Sequence, residues 1–133
     1  MVGAEEIRAR VRARLAEQRA LVSTLLRLRT QLQGSLVVRH VECGKAGCAC
    51  HAGKRHGPYF VLSNRSRGHG SFEYLDAAGA ARARTMVRRY RDFRRGLQRL
   101  QQVNAALVGL LRRYQQAQVR RTARLGAPAA ART

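Results

Sequence analysis

Tryptophan is absent, and only three phenylalanines, four tyrosines and two prolines occur in 133 residues. So few large rings cannot fill a sizeable globular core, which leaves helix pairing to do most of the burial. Seven carboxylates stand against 27 lysines and arginines. With so few acids there is almost no general acid or base to draw on, and paired acids, Ser-His-Asp constellations and Gly-rich phosphate loops are all missing. No run approaches the ~18 apolar residues of a membrane span. No apolar signal segment opens the chain, so a cytoplasmic protein with reduced thiols is expected.

What is abundant is arginine. The formal net charge is +20, and a compact chain with that charge repels itself unless a polyanion neutralises it. Nucleic acid is the expected partner, DNA ahead of RNA. High genomic G+C would explain arginine in place of lysine, but not the scarcity of aspartate and glutamate.

All three cysteines, both lysines and two of the four histidines fall between Cys43 and Tyr59, CGKAGCACHAGKRHGPY. Cys43, Cys48 and Cys50 are spaced C-x4-C-x-C. Zinc takes four ligands, usually thiolate and imidazole, in a tetrahedron. Three thiols this close converge only through tight turns, for which Gly44 and Gly47 supply the backbone freedom. The fourth ligand is His56 or His51. His51 follows Cys50 directly and tends to point away, whereas His56 has a loop, Ala52 to Arg55, in which to fold back, so His56 is preferred. Three other readings stay open: free thiols in a metal-free turn, a disulfide with one thiol left over, and Cys50 as a nucleophile. A Cys48–Cys50 bridge would be strained at that separation. A thiolate near Lys45 and Arg55 has no acid to orient a histidine base.

This run resembles a family of small uncharacterised bacterial and archaeal proteins. The shared pattern is Gly34-Ser35, then Cys43-Gly44-Lys45, Cys48 and Cys50, then His56-Gly57-Pro58-Tyr59, and a strand end at Leu62-Ser63. The likeness continues through Tyr90-Arg91 to the Asn104 region. It departs at the hairpin, where family members carry Gly-Lys-Thr and this chain has Gly68-His69-Gly70. The resemblance implies a setting near transposases and other mobile elements, and through it nucleic acid.

Helical periodicity brackets the cysteine run. Residues 4–33 carry Leu21, Leu25, Leu28 and Leu32 at steps of four and three, the mark of a helical seam, with Arg14 and Gln18 at its earlier positions. Glu5 and Glu6 suit a helix N-terminus, and Gly34 a C-terminal stop. Leu36–Val41, Tyr59–Leu62 and Ser71–Leu75 read as strands. Tyr59, Phe60, Phe72 and Tyr74 are expected as core and cross-strand partners ahead of base-stacking surfaces. Arg65, Arg67 and His69 sit at a hairpin tip, either solvated or touching phosphate. Asp76 is placed to cap a second helix running to Leu125. Along it Met86, Tyr90, Phe93, Leu97, Leu100, Asn104, Leu107, Leu111 and Tyr114 form a heptad seam in which Asn104 is the polar member.

The expected fold is mainly α, of α+β type. Two long helices form a coiled-coil-like hairpin, with a small zinc-clasped antiparallel β insert between them. The divisions are 1–34 for the first helix, 35–76 for the zinc knuckle and sheet, 77–125 for the long helix, and 126–133 for a disordered tail. The expected function is non-catalytic nucleic-acid binding. Cys43, Cys48, Cys50 and His56 would hold Zn2+. Lys45, Lys54, Arg55, Arg65, Arg67, Arg88, Arg91 and Arg95 would meet the nucleic acid. Leu97, Leu100, Asn104, Leu107 and Leu111 would form a homodimer seam. The alternative is an assembly factor that docks on a transposase or recombinase through that seam.

Overall fold

The structure, a computed structural model, describes residues 2–66 and 69–119, with the backbone alone at 65, 66 and 69. Arg67, the side chains of Arg65 and His69, the arginines at 120, 121 and 124, the expected helix end at Leu125 and the tail from 126 lie outside the described residues. Two helices enclose a small three-stranded antiparallel sheet in sequence: α1 (Ala4–Arg27), β1 (Ser35–Val41), a single 3-10 turn (Ala49–Ala52), β2 (His56–Ser66), β3 (His69–Leu75) and α2 (Ala77–Gln118). The chain is thus mixed α+β. No helix among the described residues is long and apolar enough to cross a membrane.

Two compact units are distinguished. The first joins α1 as far as Thr24 to α2 from Leu97 onward. Here the helices run antiparallel. Gln18 Nε2 donates to Asn104 Oδ1 at 2.8 Å, and Arg8 donates to the Tyr114 hydroxyl at 2.8 Å with its guanidinium over that ring. Ile7, Val103 and Leu107 are buried. On α1 the inward positions are Ile7, Val11, Arg14, Gln18 and Leu21, at the predicted steps of four and three.

On α2 the inward face is displaced from the expected seam. Val103 is buried and Leu100, Leu107, Leu110 and Tyr114 are wholly or partly covered, whereas Leu97, Asn104 and Leu111 are exposed. The apolar residues of α2 are more numerous than one stripe needs. The heptad pattern places Leu97, Asn104 and Leu111 in the seam, whereas Val103, next to Asn104, and Leu110, next to Leu111, are the more covered positions. Leu107 is buried and Leu100 half-buried within the chain.

The second unit spans Leu25–Gly96. α1 ends at Arg27, not at Gly34. The Leu28 N–H turns to the Leu25 carbonyl, Leu32 N–H donates to Met86 O at 3.1 Å, and Arg89 donates to Thr30 O at 3.3 Å. Bonds to α2 replace the helical bonds that residues 28–34 give up, so tertiary contact overrides helical periodicity. Gly96 permits the approach of Leu25, whose side chain occupies the space a Cβ would need. Asp76 caps α2 by accepting from Gly79 N–H at 2.6 Å.

The sheet order is β1-β2-β3, and residues paired across strands share a face. Leu36, Leu62 and Glu73 form one rung, and Val38, Phe60 and Leu75 the next. This face meets α2, since Leu36 and Val38 share a cleft with Val87. The other face carries the rungs Ser35–Ser63–Phe72 and Val37–Val61–Tyr74, with Arg39 opposite Tyr59. Tyr59, Phe72 and Tyr74 are exposed on it, against the expectation of core rings. α2 lies against the first face; on the other, Ser35 and Ser63 share a cleft with Tyr90, Arg91 and Arg94 of α2, while Tyr59, Phe72 and Tyr74 stay exposed.

Candidate metal centre

The knuckle is built by two turns. Gly47 adopts φ +83°, a left-handed conformation that side chains disfavour, and lets the chain double back between Cys43 and Cys48. Gly44 does not share this geometry, which corrects its expected role. Ala49–Ala52 then makes one 3-10 turn, closed by Gly53 at φ +105° with its N–H on the Cys50 carbonyl. The reversal at Gly53 carries the chain back so that β2 begins at His56, beside the cysteines.

As a result Cys43, Cys48, Cys50 and His56 gather their donor atoms within 4.8 Å of one another. Cys43 Sγ lies 3.6 Å from Cys50 Sγ, and Cys48 Sγ lies 3.4 Å from His56 Nε2. The Cys43 N–H points at Cys50 Sγ, 3.3 Å away. All three cysteines are free thiols. Cys50 is fully buried, Cys43 and Cys48 are half-buried, and His56 is exposed.

Local hydrogen bonding already favours thiolate at Cys48. Its pKa is pulled down to about 6, first by the Cys50 backbone N–H and then by the Cys50, Cys43 and His56 side chains. Burial pushes the Cys50 thiol up. Three sulfurs and an imidazole nitrogen converging from four residues, with one thiol poised to ionise, form a donor set able to hold a metal ion.

His51 is engaged elsewhere. Its Nε2 lies 3.0 Å from the Lys45 carbonyl, which can only accept, so that nitrogen carries the proton. Its Nδ1 lies 3.5 Å from Glu42. Glu42 also lies 3.9 Å from Arg55 Nε. Lys45, Lys54 and Arg55 are exposed around the knuckle.

A second feature of the Leu25–Gly96 unit is a cleft of about 290 Å3 lined by Arg84, Arg88 and Arg91 together with Leu36, Val38 and Val87. Among the described residues no carboxylate pairs with these three arginines. Arg84 is not among the residues expected from the sequence to meet nucleic acid. It lies four residues before Arg88 on α2, one helical turn away, and that spacing was the available signal. Arg95 is exposed 3.8 Å from Asp92 and does not line the cleft.

The architecture and the four-donor cluster define a small α+β chain organised around a Cys3His knuckle. The chain belongs to the family described as Domain of unknown function (DUF6788), matched over residues 4–85, from α1 through the knuckle and sheet into α2. Neither the curated proteins nor the solved structures contain a match to it.

Proposed function

We propose that this chain is a non-catalytic nucleic-acid-binding protein, DNA ahead of RNA, whose knuckle is clasped by one zinc ion. The observation that carries the reading is the cleft of Arg84, Arg88 and Arg91, three guanidinium groups in one concavity with no carboxylate among its lining residues. Guanidinium forks match phosphate oxygens. An uncompensated cluster of them on a chain of net charge +20 suits a polyanion better than a small neutral ligand. Lys45, Lys54 and Arg55 would set orientation at the knuckle. Titration of the protein with duplex DNA and duplex RNA over a range of salt concentrations tests it: binding at low salt that weakens steeply as salt rises is expected.

The zinc assignment rests on distance and donor chemistry. At Zn–S ≈ 2.3 Å and Zn–N ≈ 2.0–2.1 Å, a tetrahedral site places sulfurs about 3.8 Å apart and sulfur about 3.6 Å from nitrogen. The Cys43–Cys50 and Cys48–His56 separations of 3.6 and 3.4 Å lie close to those values. Thiolate and imidazole donors select zinc over the oxygen-loving cations. The metal would be structural, bracing a sheet too small to be stable alone. Cys50, the thiol considered as a nucleophile, is fully buried with its pKa raised, both contrary to that role.

A second reading is favoured by the exposed Leu97, Val108 and Leu111 on α2 and Leu15 and Val22 on α1, all in the first unit. They would give a coiled-coil-like hairpin an outer apolar surface, for a homodimer or for docking as an accessory subunit on a transposase or recombinase.

A further inference from the structure

We propose that the open face of the sheet, where Tyr59, Phe72 and Tyr74 stand exposed above Val61 with Arg39 at the rim, is a stacking platform for the unpaired bases of a single-stranded nucleic acid. The proposal rests on the nucleic-acid reading and deepens it, since it names a strand with free base faces as the ligand.

The geometry is set by the ladder. Val61 is 2 % exposed, flanked by its rung partners Val37 and Tyr74, while Phe72 is 70 % and Tyr74 66 % exposed. The floor is closed and the rings stand free above it. Phe72 and Tyr74 lie two residues apart on β3, about 6.8 Å along the strand, a step that consecutive unstacked nucleotides can span. Tyr59 on β2 meets Tyr74 edge to face, ring centroids 6.5 Å apart. That contact holds both rings in place, so less side-chain freedom is lost when a base stacks on them.

Two observations choose the occupant. Arg39 shares this face, and none of the described residues on its rungs is a carboxylate; Glu73 belongs to the opposite face. A second copy of a chain with net charge +20 is repelled from such a face, whereas a polyanion is attracted. The rings themselves offer π faces, which any base can use without sequence preference. In a duplex those base faces are already stacked, so the platform favours single strands.

The full-length protein, as purified, is titrated with oligo(dT), with an abasic deoxyribose-phosphate strand of equal length, and with a duplex of equal length. Oligo(dT) is expected to bind roughly tenfold or more tighter than the abasic strand. The variant Phe72→Ala with Tyr74→Ala should remove that difference and leave duplex affinity unchanged. Because the chain has no tryptophan, its tyrosine emission is directly readable. Quenching by oligo(dT) but not by the abasic strand is the second expected result and needs no variant. Equal binding of oligo(dT) and abasic strand, with duplex still bound, overturns the platform and leaves the nucleic-acid reading intact. Loss of all three ligands by the unaltered protein overturns both. A drop in oligomeric mass on Phe72→Ala with Tyr74→Ala would show a second copy on this face and overturn the platform.

Discussion

Cys48 Sγ and His56 Nε2 stand 3.4 Å apart across a 3-10 turn and a glycine reversal, while His51, adjacent to Cys50, is turned to the Lys45 carbonyl. The two histidines therefore separate cleanly by substitution. Purified protein should contain one zinc per chain by elemental analysis. His56→Ala should lower zinc affinity by tenfold or more and depress the melting temperature, whereas His51→Ala should keep the metal. Chelator should lower the melting temperature of the unaltered protein, since binding energy at such a site is folding energy. Zinc retained by His56→Ala and lost by His51→Ala would reassign the fourth ligand.

The first unit makes opposite predictions for two leucines one turn apart. Leu107 is 7 % exposed and Leu111 52 %. Leu107→Ala should cost about 2–5 kcal/mol of stability, read by denaturant unfolding, because it leaves a cavity between α1 and α2. Leu111→Glu together with Leu97→Glu should leave the monomer folded and shift light-scattering mass downward if the exposed stripe joins two copies. An unaltered protein that is already monomeric removes the dimer and leaves docking on another protein as the use of that surface.

These leucines also mark how much was legible beforehand. The two helices, three strands and Asp76 cap could be read because caps, β-branched runs and periodicity are local properties. The four donor residues were legible because ligands close in sequence need only short turns to converge. The end of α1 was not, because Leu28 and Leu32 continue the helical period and only the bond from Leu32 N–H to Met86 O shows where the chain leaves it. The exposed rings were not, because alternation on β2 and β3 fixes which residues share a face but not which face a helix covers. Nor was the three-arginine cleft, which needs α2 laid against Leu36 and Val38.

Acid should loosen the first unit through Glu17. Arg99 donates to its carboxylate from Nε at 2.8 Å and again from Nη2, and Arg14 adds a third bond at 3.0 Å. These bonds, Arg99 first, hold the Glu17 pKa below its ordinary 4.5. The unfolded chain thus binds this proton more readily than the folded one. The contribution is fully present above about 4.5 and is lost as pH falls through the depressed folded value. Melting temperature followed from neutral pH into that range should fall less steeply for Glu17→Gln than for the unaltered protein. Parallel curves would show that the Arg99–Glu17 pair contributes nothing in solution, as many exposed pairs do.

The arginine cleft gives the most direct reading of function. Each phosphate neutralised on duplex DNA releases counterions and adds about −0.9 to the slope of log affinity against log salt. Arg84, Arg88 and Arg91 line one concavity without a carboxylate, so their guanidinium groups are available to phosphate. Replacing all three with Gln should weaken binding to every duplex sequence alike and flatten the slope by roughly two to three. Arg95→Gln should do less, because Asp92 already stands 3.8 Å from that guanidinium. Changing Lys45, Lys54 and Arg55 to Gln should instead alter preference among duplex, junction and single strand, since those side chains surround the knuckle. A slope unchanged in the Arg84, Arg88 and Arg91 variant would move the phosphate contacts to other arginines. No binding to any nucleic acid at low salt would leave the exposed apolar stripe of the first unit, and docking on another protein, as the reading to pursue.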